Sequence, residues 1–490
     1  MNALAASLLI PTRADLAGVA VEAWLAAGLC AVLLVPLLTR ERINLYASIA
    51  ATAAVVVAFV FTFAAPLAPG RTFAGMITAD TPALLWRRLA LLFTLGVLIA
   101  RWPRRGDDRD DTVDLTLLLV ATIGMTLMGA TQNLLMLLLA SEIASVPSYL
   151  LAAVRKRERL AAEASLKFVL IGAVSTGVMA YGLSLVYGVA GSLDFALVAQ
   201  HLALVPSPLA VIGLIGLLVG LLFKLSAVPM HFWAPDVFEG GGVDVAAFLS
   251  VVSKGAAIVL LARLVEWIAI ADGPLPVAHG AQITLAIVAV ATMTLGNVAA
   301  LPQTSVKRLL GYSTIAQGGY LLAAVALLGH GGFAAAAAYL IVYAAMNLGA
   351  FAILAAVVAA RGHDRIEAFD GLGSQSPLAA AAMAVCLISL IGLPPAAGFF
   401  AKWKVMAALA HGGGWWWAVV AAVGINSAIS VVYYAKVLRA MYLRPANHAV
   451  PLDPSPAVAI GIACGIALVA MLVLFAIVDQ IALRASFFKA

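Results

Sequence analysis

Apolar runs of roughly 20 residues recur along the whole chain with only short polar breaks between them. At 1.5 Å per residue each run matches the ~30 Å hydrocarbon core of a bilayer. Backbone groups in hydrocarbon find no water, so such runs must close their own hydrogen bonds as helices. Composition agrees, with 64% hydrophobic and 11% charged residues where a soluble domain carries about 25% charged. The pattern predicts an all-α polytopic membrane protein with about fourteen transmembrane helices. The spans fall near 17–38, 43–65, 82–100, 113–130, 131–153, 163–189, 208–234, 243–268, 280–301, 306–329, 333–360, 378–410, 415–443 and 455–482. Arg13 and Asp15 precede the first run without a basic leader or a small-residue cleavage site, so it reads as a retained helix.

Basic residues set an orientation. Arg40 and Arg42, the cluster Arg101 to Arg109, Arg155-Lys156-Arg157 with Arg159, Lys307-Arg308, Arg361 with Arg365, and Arg439 with Arg444 follow odd-numbered spans. By the positive-inside rule both termini face outward. The net charge of +6 is therefore topology and touches lipid head groups; it does not signal nucleic acid. Cys30, Cys386 and Cys464 stand singly in separate runs, and most histidines (His201, His279, His330, His363, His411, His448) fall in or beside loops. No zinc, iron–sulfur or paired-haem spacing results, and neither a Gly-x-Gly-x-x-Gly nor a P-loop pattern occurs. Any redox or nucleotide cofactor belongs to another chain.

Two runs are interrupted. The seventh reads Phe223-Lys224-Leu225-Ser226-Ala227-Val228-Pro229, and the twelfth carries Gly392-Leu393-Pro394-Pro395 ahead of Lys402. Proline lacks a donor and clashes with the carbonyl four residues back, which frees the carbonyls of Leu225, Leu390 and Ile391. Each interruption is the fourth member of a five-helix block, and an odd number of helices inverts the second block relative to the first. The chain divides into a three-helix segment 1–110, a first repeat 111–270, an inverted second repeat 271–445 and a last helix 446–490. Paired interruptions in inverted repeats point to a transport pathway.

Five ionisable residues within the spans read as lying away from the loops: Glu142, Lys167, Lys224, Lys254 and Lys402. Each charge at the bilayer centre costs at least ~2.5–3.5 kcal/mol, so the set asks for partners and water. Glu142 shares a helix face with Ser145 and Tyr149, and Pro147 kinks that helix. Lys254 has about 16 Å of helix on either side, too much for snorkelling. Lys224 faces the interruption at Pro229, with His231 beyond it; a counter-charge role towards Asp236 or Glu239 competes. Lys167 lies near the start of its helix beside Glu163, where snorkelling competes, as it does for Lys402. A buried lysine whose carboxylate partner moves away can expel its proton, so a row of such sites can relay protons.

The motifs Leu139-Ala140-Ser141-Glu142, Glu163-Ala164-Ser165-Leu166-Lys167-Phe168, Pro229-Met230-His231-Phe232-Trp233-Ala234-Pro235-Asp236-Val237-Phe238-Glu239-Gly240, Lys307-Arg308-Leu309-Leu310-Gly311-Tyr312-Ser313 and Gly392-Leu393-Pro394-Pro395 resemble those of the antiporter-like subunits of respiratory complex I. The match runs from about 110 to 445. The resemblance implies a proton-translocating subunit in the bacterial inner membrane without a redox centre of its own. It also implies other membrane-arm subunits as partners, FMN and iron–sulfur clusters in partner chains, and quinone bound elsewhere in the complex. It pairs Glu142 with Lys167, continues the relay through Lys224 and Lys254, and leads outward by Lys402. Two positions depart from the family: Gly241-Gly242-Val243-Asp244 where an alanine-proline-threonine-proline stretch is usual, and Gln317 where a histidine is frequent. A multisubunit cation/proton antiporter, a hydrogenase-type membrane arm and a non-pumping scaffold are the competing functions.

Overall fold

The computed structural model describes residues 12–39, 42–64, 71–102, 110–154, 158–205, 207–270, 276–327, 331–446 and 451–485. Arg40, the positions 103–109, Arg155-Lys156-Arg157, His330 and His448 lie outside the described residues. Fourteen helical spans are present among the described residues. They are α1 (Ala20–Leu38), α2 (Ile43–Ala64), α3 (Thr81–Ala100), α4 (Asp110–Ala130), α5 (Leu134–Ala153) and α6 (Arg159–Ala190). The broken α7 (Pro208–Leu225 and Trp233–Gly240, called α7a and α7b) comes next, and then α8, which runs from Val243 to Ile270. The second half holds α9 (Pro276–Ala300), α10 (Val306–Val325), α11 (Gly332–Arg361), the broken α12 (Pro377–Ile391 and Ala397–His411, called α12a and α12b), α13 (Trp416–Leu443) and α14 (Pro456–Val473). Twelve of the helices are long and apolar enough to cross a membrane unaided. The exceptions are α10, diluted by polar residues, and α12, split into two short halves.

Loop contacts sort the two ends of the bundle. At one end Arg71 pairs with Asp194, and bridges join Ile77 to Thr131 and Asn133 to Asp194. These are the connections after α2, α4 and α6. At the other end Ser305 bridges Arg365 and Arg444 pairs with Asp370 at 3.4 Å, which joins the connections after α9, α11 and α13. The second end is called the basic end below. Its assembly from odd-numbered connections follows the alternation read from the sequence.

The two blocks pack alike. Helices α4 and α5 pack together, as do α9 and α10; α4 meets α8 as α9 meets α13. Glycine makes both first pairs possible. A Cβ at Gly124 would lie 2.4 Å from the backbone nitrogen of Ala144 in α5, and one at Gly296 would lie 2.5 Å from that of Ala316 in α10. Small residues allow such backbone approach where no hydrophobic force drives helices together.

Three features go beyond the sequence reading. A ten-residue helix, Phe195–Leu204, connects α6 to α7, too short to span and capped by Asp194, which accepts from Ala196 N at 2.9 Å. The last run divides at Leu474 into α14 and Phe475–Arg484. The prolines of both interruptions, Pro229, Pro394 and Pro395, are exposed on the bundle surface. Proline suits that place because its backbone presents no donor for hydrocarbon to leave unpaired.

Candidate functional site

Each interruption exposes the carboxyl end of a helix, whose last carbonyls have no partner within the helix. The first break satisfies them one by one. Ala227 N donates to Leu222 O at 2.8 Å, Trp233 Nε1 to Phe223 O at 3.0 Å, and Ser253 Oγ of α8 to Lys224 O at 2.9 Å. Lys254, 0% exposed, donates its Nζ to Leu225 O at 3.0 Å and to Ser226 Oγ at 2.9 Å. Ser226 itself is left-handed, φ 56°, and ends α7a.

The second break repeats this chemistry from another position. Lys402 of α12b, 3% exposed, donates to Leu390 O at 3.1 Å, Ile391 O at 2.8 Å and Ser427 Oγ of α13 at 3.3 Å. Its ammonium also sits 4.5 Å from the centre of the Tyr320 ring, a favourable cation–π distance. The three carbonyls that proline was expected to free are the three that receive lysine. A free carbonyl at membrane depth and a buried ammonium each cost energy alone, and here each removes the other's cost.

Lys224 behaves differently from the expectation. It turns away from the freed backbone of its own helix and reaches α5, where Nζ donates to Ser141 O at 2.9 Å and to Ser145 Oγ. Lys224, not Lys167, is therefore the lysine set beside the Glu142 segment, and it is no counter-charge to Asp236. The half-buried Glu142 accepts from Thr176 Oγ1 of α6 at 2.8 Å. Lys167, 43% exposed, pairs with Glu163 at 2.7 Å and Asp236 at 2.8 Å. The Tyr149 ring packs edge-on to Phe168, with centroids 4.7 Å apart. His231 is buried in the first break, against the Phe232 ring at 4.2 Å.

Between the two lysine-capped breaks runs a sequence of uncharged polar groups, of which Tyr339, Tyr343 and Asn347 were not singled out in the sequence. The chain leading to Lys254 contains a π-helical turn, Leu249–Ser253, a feature frequent at functional sites. From α11, Tyr343 OH donates to Ser250 O at 3.1 Å, and Asn347 Nδ2 donates to Ser250 Oγ at 2.7 Å and Tyr343 OH at 2.9 Å. The Tyr339 and Tyr343 rings stack 6.4 Å apart, and Tyr339 OH donates to Gln317 Oε1. Gln317 Nε2 then donates to Leu390 O at 3.3 Å, the carbonyl that Lys402 also holds. Gln317 thus takes a place in this sequence of contacts through hydrogen bonding alone. Asn347 is a lone amide in an otherwise apolar run, which was the available signal.

Sequence reading also undercounted buried charge. Arg87 of α3 meets Glu22 of α1 through two bonds of 2.9 and 3.0 Å, both side chains nearly inaccessible. Arg263 of α8, 1% exposed, holds Asp80 at 2.5 and 2.9 Å and Gly129 O at 3.0 Å. The turn into α8 keeps extended glycines, Gly241 with φ −74° and Gly242 with φ −62°, angles that proline itself adopts. Asp244 beyond them pairs with Arg101 at 3.1 Å.

Two inverted helical blocks, each with a broken helix whose end is held by a buried lysine, define a membrane transport subunit. Residues 131–430 match the family described as NADH:quinone oxidoreductase/Mrp antiporter, transmembrane, and the chain belongs to that family. It is similar to NADH-quinone oxidoreductase subunit N 2 of Sorangium cellulosum, 37% identical over 423 residues that cover 83% of each chain. Subunit N of the Rubrobacter xylanophilus enzyme is 36% identical over 380 residues, 76% of this chain and 77% of that one. Among solved structures, a chain of respiratory complex I from Thermus thermophilus superposes with a TM-score of 0.78 at 32% identity, covering 94% of this chain and 98% of that chain.

Proposed function

We propose that the chain is a proton-translocating membrane-arm subunit of an NADH:quinone oxidoreductase, driven by quinone reduction in neighbouring subunits. Glu142, Lys224, Lys254 and Lys402 form the relay, with Lys167 at the basic end. The basic end faces the cytoplasm of a bacterial inner membrane by the positive-inside rule, and both termini face outward. FMN and iron–sulfur clusters belong to partner chains. The observation that carries this reading is the capping of both broken helices by the buried ammonium groups of Lys254 and Lys402. A lysine fixed at a helix break inside a low-dielectric bundle can bind and release a proton without substrate contacts, and the line Ser250–Asn347–Tyr343 and Tyr339–Gln317 offers polar groups between the two lysines. His231, Tyr149, Pro229, Pro394 and Pro395 support the geometry.

The test replaces Lys254 or Glu142 by alanine in the assembled enzyme. Proton pumping and coupled NADH:quinone turnover are expected to fall while NADH oxidation by artificial acceptors persists. Normal pumping by both variants removes these residues from the relay. Because the matched family spans Mrp antiporters as well, sodium/proton exchange by the chain in vesicles without an electron donor would favour the antiporter reading.

A further inference from the structure

The ion-pair cluster at the basic end includes a residue that the proposed relay does not use. Asp236 lies in the first half of α7b and divides its carboxylate between the two repeats. Its Oδ2 is 2.8 Å from Lys167 Nζ of α6, and its Oδ1 is 2.9 Å from Arg308 Nη1 of α10. Each cation has a second carboxylate, Glu163 at 2.7 Å from Lys167 and Glu239 at 2.5 Å from Arg308. Lys307, beside Arg308, donates to Glu239 O at 2.5 Å and Gly241 O at 3.3 Å, at the carboxyl end of α7b where a cation is favoured.

These contacts separate two roles. The attachment of α7b to α10 is redundant, because the Arg308–Glu239 pair and the Lys307 bonds to backbone survive without Asp236. The charge contact from Asp236 to Lys167 is what ties Lys167 to that attachment. Asp236 is 22% exposed and Arg308 28%, so both are partly shielded from water and their pairing exceeds that of a fully solvated surface bridge.

We propose that Asp236 is a shared counter-ion, a positioning residue that holds Lys167 at the basic rim and links it to Arg308 of the second repeat. When Lys167 leaves this contact, the carboxylate is left to Arg308, and the change is felt on α10, the helix that also carries Gln317. The inference rests on the reading of Lys167 as a relay member.

The test compares Lys167→Met, Asp236→Asn, their double variant and Asp236→Glu in the assembled complex, reconstituted into vesicles. Protons pumped per NADH oxidised are measured, with NADH oxidation by an artificial acceptor as the measure of assembly. Both single variants are expected to lose pumping several-fold, the double variant to be no worse than the poorer single, and Asp236→Glu to recover most of the loss. Non-additivity reports that the two residues act as one unit. Losses that multiply in the double variant overturn the inference alone. So do normal pumping by Asp236→Asn, failure of that variant to assemble, or an Asp236→Glu variant as defective as Asp236→Asn. Normal pumping by Lys167→Met removes Lys167 from the relay and overturns both readings together.

Discussion

Lys254 of α8 places its ammonium 3.0 Å from the carbonyl oxygen of Leu225, the last helical residue of α7a. The bond joins the proposed central proton carrier to the helix end that the break at Pro229 leaves open. Substitutions separate the two functions. Lys254→Gln keeps a donor for Leu225 O, whereas Lys254→Met leaves it unsatisfied at a cost of about 1–3 kcal/mol. Both variants are expected to lose pumping, but only the methionine variant should lower the yield or thermal stability of the assembled complex.

Glu142 accepts from Thr176 and stands next to Ser141, whose carbonyl holds Lys224. Glu142→Gln preserves the shape and the acceptor but removes the charge. Pumping is expected to fall by roughly tenfold or more if Glu142 transfers protons, whereas Thr176→Val should have a smaller effect. Initial rates of proton uptake into vesicles distinguish the two.

Gly398 sits at the start of α12b with its backbone nitrogen 2.9 Å from Ser389 Oγ. A Cβ there would lie 1.9 Å from Ser389 O, a backbone atom that cannot swing aside. Gly398→Ala is expected to push α12b from α12a, lift Lys402 off Leu390 and Ile391, and destabilise the subunit by about 1–3 kcal/mol. A thermal-shift measurement on the purified complex reads the loss, and pumping should fall with it.

Outside the spans, Asp15 accepts from Phe73 N at 2.5 Å and from Thr12. These bonds, led by that from Phe73, hold its carboxyl below the ordinary value of about 3.9. A depressed carboxyl contributes stability that is fully present above the unfolded value and lost as pH falls through the folded one. The difference in Tm between the native chain and Asp15→Asn should therefore be constant from neutral pH down to about 5 and shrink below about 4.

The helices, their alternation and the two interruptions were legible because bilayer thickness and proline chemistry act locally on sequence. The freed carbonyls of Leu225, Leu390 and Ile391 were legible for the same reason. Which lysine fills each of them was not, because that depends on how helices lie side by side. Lys254 approaches the first break from α8, Lys402 approaches the second from its own helix, and Lys224 turns to α5. Sequence spacing favoured Lys224 for the first break, and tertiary packing placed Lys254 there. The pairs Arg87–Glu22 and Arg263–Asp80 were hidden similarly, since partners 65 and 183 residues apart leave no local trace. Gln317 looked like a missing titratable group, yet its amide fits a site that needs one donor and one acceptor.

The lysine caps have a mechanical consequence. A charge-assisted hydrogen bond is roughly twice as strong as a neutral one, so an ammonium splints the broken helix more firmly than the amine left when its proton departs. In the proposed relay, loading and unloading Lys254 would therefore stiffen and slacken the joint in α7, and Lys402 would do the same for α12. Under that proposal, holding a proton and holding the break closed are one bond, and each lysine that passes its charge on loosens the helix that it closes.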